Sequence, residues 1–421
     1  MARGDGSALT GTGRDAVAAV WRIESARIVG ALARYTGDFA LAEDLAQEAF
    51  AEALVTWPRD GAPTNPAGWL LTVGRRRAID VFRRRSALDE RYAVLARDVG
   101  EDGAGDELWD PDRIDDDVLA LMYTACHPVL SPEARIALTL RVVGGLTSDQ
   151  IAKAFLVPTA TAQARITRAK KALAAAQVPF AVPSAAERPE RLGSVLSAIY
   201  VIFTEGSSAS SGADLIRIDL AAEAQRLARV LSRLVPEEPE VHGLLALLEL
   251  TAARFPARTG PDGEPVLLEH QDRRRWDHAA IRRGRAALAR ATAVGRGLGA
   301  YGLQAAIAEC HAVAASVDET DWERIVLLYE ALGRLAPSPV VDLNRAVAVC
   351  MARGPAAALP IVDELAAGKA LPNHQLPGVR AELLIRLGDT DQARTELRRA
   401  IQLCANDRER TVLERKLADL G

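Results

Sequence analysis

The chain has little cysteine. Cys126, Cys310, Cys350 and Cys404 are the whole complement, and no two stand in a CxxC spacing. That excludes a disulfide framework and points to a reducing compartment. Cys126-His127 and Cys310-His311 put a thiol beside an imidazole, but adjacent ligands without a second pair do not build a zinc site, so each thiol is expected to be buried. None of the six His stands in a nucleophile or metal pattern, and there is no glycine-rich phosphate loop. No catalytic residue, no metal and no cofactor is therefore expected, and the chain does not read as an enzyme. No apolar run approaches the roughly 18 residues of a membrane span, and the N-terminus lacks an apolar signal segment. A cytoplasmic protein without a membrane partner is expected. Lysine is scarce beside arginine, so only the clustering of arginines carries information.

What is present is ample for folding. A length of 421 residues suggests about three domains, and 49% hydrophobic with 26% charged residues suits globular cores. The net charge is −4, yet the stretch Trp69–Arg85 holds six Arg and one Asp, a local charge of +5. At about 100° per residue, Leu71, Ala78 and Phe82 share one helical stripe with Ile79 beside it. Arg76, Arg77, Arg83 and Arg84 lie on the opposite arc, with Asp80, Trp69 and Val73 among them. Arg75 and Arg85 lie nearer the apolar side. A basic arc is the footprint of a phosphate-binding surface, and an aromatic and a β-branched residue within it suit stacking on unpaired bases. A solvated arginine-rich helix has the same pattern, and charge alone does not separate the two.

In chain order, residues 1–14 hold four Gly with Ser and Thr and read as a disordered tail. Val20, Ile23, Arg27 and Leu32 begin an amphipathic run ending near Gly37. Asp38 has the form of an N-cap for a helix from Ala40 to about Val55. Leu45, Ala49, Phe50 and Ala53 face one way on it, while Asp44, Gln47 and Glu48 share the other face at i, i+3 and i+4. The segment from Trp57 to Pro66, dense in Pro and Gly, reads as a loop before the basic helix. Between Asp98 and Asp117 stand ten acidic residues and one Arg, a local charge of −9, which reads as a self-repelling linker.

A second compact helical unit follows over residues 118–176. Pro132-Glu133 opens a helix through Leu140. Thr147 with Gln150 three residues on forms a capping box for a short helix that ends before Pro158. Another helix from Thr159 to about Ala175 has Ile166, Ala169 and Leu173 as its core stripe. It carries Arg165, Arg168, Lys170 and Lys171 with no acid. Two short helices around a tight turn, the second basic, describe a helix-turn-helix.

These motifs, from Asp44-Leu45-Ala46-Gln47-Glu48-Ala49-Phe50 through Trp69-Leu70 and the arginine-rich helix to Gly145-Leu146-Thr147 and Arg168-Ala169-Lys170-Lys171, resemble bacterial sigma factors of the extracytoplasmic-function group over residues 15–176. The resemblance implies that Asp44, Gln47 and Glu48 engage the clamp coiled coil of core RNA polymerase. It implies that the 57–66 loop, with Asn65, holds a flipped base of the promoter −10 element. The basic helix, through Trp69, Arg76, Arg77, Asp80, Arg83 and Arg84, would melt and read that element. The second helix of the helix-turn-helix, with Thr159, Thr161, Gln163, Arg165, Arg168, Lys170 and Lys171, would read the −35 element. Leu156 and Pro158 depart from the group's usual Gly and Ser-type cap at the turn.

Beyond a Pro-rich linker at 177–190 the chain continues as helices, with loops expected at Ser207–Gly212 and Thr259–Pro265. The cluster Gln271–Asp277 reads as an exposed helix start with structural ion pairs. Arg353-Gly354 and Leu387-Gly388 lie 34 residues apart, each ending one helix and preceding another, which is the tetratricopeptide period. A third pair, Leu303–Ala315 and Trp322–Leu335, has the same form. The expected fold is all-α: two small helical domains at 15–92 and 118–176, an acidic linker at 93–117, a helical extension at 191–300 and solenoid repeats at 301–421. Sigma factors with such a fused extension form a subgroup that the chain resembles over nearly its whole length. Its expected partners are core RNA polymerase, promoter DNA and, in cis, the chain's own sigma domains touched by the extension. The alternative is a helix-turn-helix repressor or adaptor with a peptide-binding solenoid, which would not need the Asp44/Gln47/Glu48 face or the melting helix.

Overall fold

The computed structural model describes residues 6–86, 111–155, 157–207, 218–260, 266, 268–368, 374–405 and 407–420. Among these every regular element is helical, as expected for an all-α chain, and no helix is long and apolar enough to cross a membrane. The chain forms two compact units, 1–201 and 202–421.

The first unit is built from α1 (Gly6–Thr36), α2 (Phe39–Asp60), α3 (Pro66–Ser86), α4 (Pro111–Ala125), α5 (Pro132–Val142), α6 (Ser148–Ala154) and α7 (Thr159–Ala175), followed by α8 (Arg188–Ser207). Helix α1 begins at Gly6, inside the segment read as a tail, because helix propagation adds one hydrogen bond per residue once a packed helix has nucleated. The packed part buries Val17, Trp21, Ile28 and Leu32 at helical spacing. Gly37, at a φ of 64°, turns the chain, and Asp38 caps α2 by accepting from Leu41 N at 3.0 Å. Helix α2 runs five residues past the expected Val55 and contains Pro58. Trp57 is only 4% exposed, and its burial holds the last turn where a proline in solvent would end it. The expected loop thus shrinks to Gly61–Asn65. Helices α1 and α3 approach so closely that a Cβ on Gly74 would stand 2.8 Å from Leu32 Cδ1.

The acidic run is not linker throughout. Residues 87–110 lie outside the described residues, but Pro111–Asp117 opens α4. Asp117 is buried because Arg34 donates its Nε to both carboxylate oxygens at 3.0 and 3.1 Å. The helix-turn-helix forms as read, with Thr147 and Gln150 capping α6 reciprocally. Pro158 takes the N-cap of α7, and Leu156 lies outside the described residues.

The second unit continues with α9 (Ile218–Leu234), α10 (Pro239–Ala252), α11 (His278–Ala293), α12 (Ala300–Val313), α13 (Trp322–Leu335), α14 (Pro339–Arg353), α15 (Pro355–Ala367), α16 (Gln375–Leu387), α17 (Thr390–Leu403) and α18 (Asp407–Asp419). Helices α10 and α12 cross backbone to backbone, since a Cβ on Gly243 would lie 2.7 Å from Gly302 N. Glu249, 1% exposed, is held between Arg229 and Arg283. The two glycines of the 34-residue period, Gly354 and Gly388, both have positive φ (91° and 85°), which is why glycine ends α14 and α16. The earlier pair α12/α13 has a longer connection, so its period is only approximate. The loops read at Ser207–Gly212 and Thr259–Pro265 lie mostly outside the described residues, though Ser207 itself ends α8.

The Gln271–Asp277 cluster is a 3-10 turn followed by an Asp277 cap on α11, and Arg274 pairs with Asp272. Arg273 is less exposed than expected. Its guanidinium stands 4.6 Å from the ring centre of the buried Trp276 and donates to the His311 and Ala314 carbonyls. Burial first, then the Arg254 and Arg273 charges, lower His311 from 6.5 to about 4. The unfolded chain therefore binds more protons below pH 6.5, so this contribution to stability is complete above that pH and is lost as the pH falls toward 4. We expect denaturant unfolding of the second unit to lose about 2–3 kcal/mol between pH 7 and 4 that a His311→Gln variant does not lose. Parallel pH profiles of the two proteins would refute the assignment.

Candidate nucleic-acid interface

Helix α2 exposes Asp44 and Glu48 and half-buries Gln47 between them, so the three carboxylate and amide groups do share one outer face. Two arginines of the basic helix reach back to this helix, Arg77 half-buried and Arg76 still 66% exposed. Arg77 donates to Glu48 and to Glu52, each at 2.7 Å, and Arg76 donates to Glu52 at 3.1 Å. The Glu52 hydrogen bond leads in raising the Arg77 guanidinium above its ordinary value, against the opposing effect of burial. Arg76 and Arg77 thus fasten α3 to α2.

On the rest of α3, Asp80, Arg83 and Arg84 are exposed, and Arg84 donates to the Asp80 carbonyl at 3.1 Å. The buried stripe Leu71, Ala78 and Phe82 is as read from the sequence. Arg75 stacks 5.8 Å from the Tyr35 ring centre on the apolar side. Val73 departs from the reading. It is buried against the core, since the helix turns more of that arc inward than the sequence pattern suggests, and it is not available for stacking on a base. Trp69 is half-buried and meets Trp57 edge to face at 5.5 Å. Asn65 caps α3, accepting from Gly68 N at 3.0 Å. The side chain of Arg85 lies outside the described residues.

Helix α7 exposes Gln163, Arg168 and Lys171 and half-buries Thr161 and Arg165. Thr159 donates its hydroxyl to Asp149 at 2.8 Å and ties the start of α7 to α6. Lys170 does something its charge count does not announce. Its ammonium bonds Asp44 at 2.7 Å and also the buried Glu43, while Arg141 donates to the other Glu43 oxygen at 2.9 Å. Burial pushes the Lys170 ammonium down, but the two carboxylates outweigh it and hold its pKa above the ordinary lysine value. A cleft of about 430 Å³ separates the helices here, with Asp44, Gln47 and Glu48 on one wall and Gln163, Thr167 and Lys170 on the other. The residues expected to meet polymerase and two of those expected to meet upstream DNA therefore face each other.

Residues 22–87 match the sigma-70 region 2 family and residues 120–173 the sigma-70 region 4 family. The chain carries the region 2 and region 4 domains of the sigma-70 family. Residues 191–292, in the extension, match a family of unknown function (DUF6596). An uncharacterized protein of Rhizobium meliloti (strain 1021) is 46% identical over 397 residues, 93% of each chain. A probable ECF RNA polymerase sigma factor of Mycobacterium tuberculosis, SigI, is 29% identical over 175 residues, covering 41% of this chain and 60% of that one. A tetratricopeptide repeat protein of Parabacteroides merdae covers 65% of this chain at 11% identity, with a TM-score of 0.34. The two sigma-70 domains and the sigma-factor relative support an RNA polymerase sigma factor, a class of initiation subunits that acts with core polymerase on promoter DNA.

The sequence reading of this sigma factor missed Glu43, Glu52 and Asp117. Two of them carried a signal. Glu43 sits within the apolar stripe of Ala42, Leu45 and Ala46, and Asp117 within that of Val118 and Leu121. An acid on a buried stripe implies a cationic partner elsewhere, because an unpaired carboxylate would not stay there. Glu52 carried none beyond standing one turn after Glu48.

Proposed function

We propose that this sigma factor docks on core polymerase through Asp44, Gln47 and Glu48, engages the −10 element through Trp69, Asp80, Arg83 and Arg84 of α3, and reads the −35 element through Thr161, Gln163, Arg165, Arg168 and Lys171. Asn65, Arg76, Arg77 and Thr159 shape these faces through their bonds within the protein, and Lys170 alternates between Asp44 and DNA phosphate. The free chain holds a closed state in which the two faces cover each other, and polymerase binding opens it. The observation that carries this reading is the Lys170 bond to Asp44, two residues 126 positions apart. A shared partner surface cannot serve an internal salt bridge and an external ligand at once. The second unit modulates sigma activity in cis, a reading supported by its tether to a sigma pair with complete cores and by the 34-residue repeats, which in such solenoids form binding surfaces.

Run-off transcription with core polymerase tests both parts. The full chain should direct transcription from a matching promoter, and a chain ending at Phe180 should differ from it several-fold. Absence of promoter-dependent transcripts from both would remove the sigma reading for this chain. Equal yields would remove the regulatory one. Within α7, Arg165→Ala should cost about 1–3 kcal/mol of binding and relax specificity at one base pair, whereas Lys171→Ala should weaken all sequences alike and flatten the salt slope. Binding isotherms on single-base promoter variants at two salt concentrations separate the cases. The reverse pattern would exchange the two roles.

A further inference from the structure

A cavity of about 600 Å³ opens within the second unit, between α14, α16 and α18 on one side and Arg254, Arg258, Val266, Leu268 and Gln271 on the other. That volume falls within the roughly 300–1,000 Å³ of ordinary small-molecule sites. Its walls are apolar along Leu343, Val347, Val379, Leu383, Val412 and Leu413.

The charges on its lining do not balance. Arg254, Arg258, Arg386 and Lys416 stand there against the carboxylates Glu382 and Glu409, a surplus of two positive charges. Both acids already have partners within the protein. Glu382 bridges Arg386 and Lys416, and Glu409 faces His374 at 3.3 Å. Of the arginines on the opposite wall, Arg258 feels the Glu409 carboxylate, and Arg254 is left over. Arg258 spends one guanidinium nitrogen on the Ser207 carbonyl at 2.9 Å, and Arg254 has no ion pair among the described residues, with its Nε buried and unbonded. Burial, with Arg258 and Arg273 close by, lowers Arg254 to about 10, so its charge is held at a cost that an anion would remove. Gln271, 8% exposed, lines the same cavity. It gives its amide N–H to the Val266 carbonyl and leaves its Oε1 buried without a donor. A half-buried guanidinium with no carboxylate beside it, here Arg254, is what an unfilled anion site looks like, since buried polar groups are otherwise paired.

We propose that this cavity binds a small amphiphilic organic anion, a carboxylate or phosphate monoester carried on an apolar body. The head group lies against Arg254 and Arg258, where a planar guanidinium can hold two oxygens at once. The apolar body lies along α14, α16 and α18. The inference stands on the cavity and not on the regulatory reading above, and its test needs no polymerase.

The test is titration calorimetry of the full chain with decanoate, decyl phosphate, decanol and inorganic phosphate. Decanoate or decyl phosphate should bind, and whichever binds tighter identifies the head group. Decanol and inorganic phosphate should each be weaker by about ten-fold or more, because each offers only half of the recognition. Arg254→Gln should weaken the anion by about ten-fold without altering decanol. Val347→Trp, at a partly exposed position, should fill the cavity and abolish binding with the helical spectrum unchanged; it decides the matter if the Arg254 variant does not fold. Equal binding of decanol and decanoate, wild-type affinity in a folded Arg254 or Val347 variant, or no binding of either anion at millimolar concentration would overturn the proposal. So would tight binding of an acid-terminated peptide with none of the amphiphiles.

Discussion

The Asp44→Lys/Glu48→Lys double variant should bind core polymerase more than about 100-fold more weakly than the natural chain, with its helical content unchanged. Both side chains are largely exposed, at 65% and 54%. Their replacement therefore creates no cavity and leaves the α1, α2 and α3 core intact. What it does is reverse the sign of the face that α2 presents. Glu48 also receives Arg77 at 2.7 Å, but Arg77 keeps Glu52, so α3 stays fastened. A pull-down with core enzyme at several protein concentrations reads the effect. Co-purification at the natural level would show that this face does not meet polymerase.

Glu43→Ala should act with the opposite sign, although Glu43 immediately precedes Asp44 on the same helix. Glu43 is 3% exposed and takes both Lys170 and Arg141. Removing one partner of a buried ionic group leaves the others without compensation, which costs about 3 kcal/mol or more. In the open state Lys170 and Arg141 are hydrated and lose little. The closed state alone bears the penalty, so the balance should move toward open by about 100-fold. Core polymerase, which by our reading needs the open state, should then bind the variant more tightly, up to the cost that closure imposes on the natural chain. Distance measurements between labels on α3 and α7 should lengthen. A variant that stays closed, or one that opens and binds polymerase no better, would separate the ion pairs from the regulation we assign to them.

The contrast between residues 43 and 44 marks the limit of what the sequence determined. Local rules operate within a few residues, and there they were sufficient. The Asp38 cap, the reciprocal Thr147/Gln150 box, the Leu71/Ala78/Phe82 stripe and the paired helices around Gly354 and Gly388 follow from hydrogen bonds and periodicity that a short window contains. The order of motifs likewise carried the sigma-70 assignment. Tertiary structure decided which charges remain available. Arg76 and Arg77 read as part of a DNA-facing arc, yet their partners Glu48 and Glu52 lie on another helix, 24 to 29 residues away. Lys170 finds Asp44 across 126 positions, and Arg34 finds Asp117 across 83. Pro58 stays helical because Trp57 is buried, a fact about packing and not about proline. Coulomb energy depends on distance in space and on exclusion of water, and neither is set by separation along the chain.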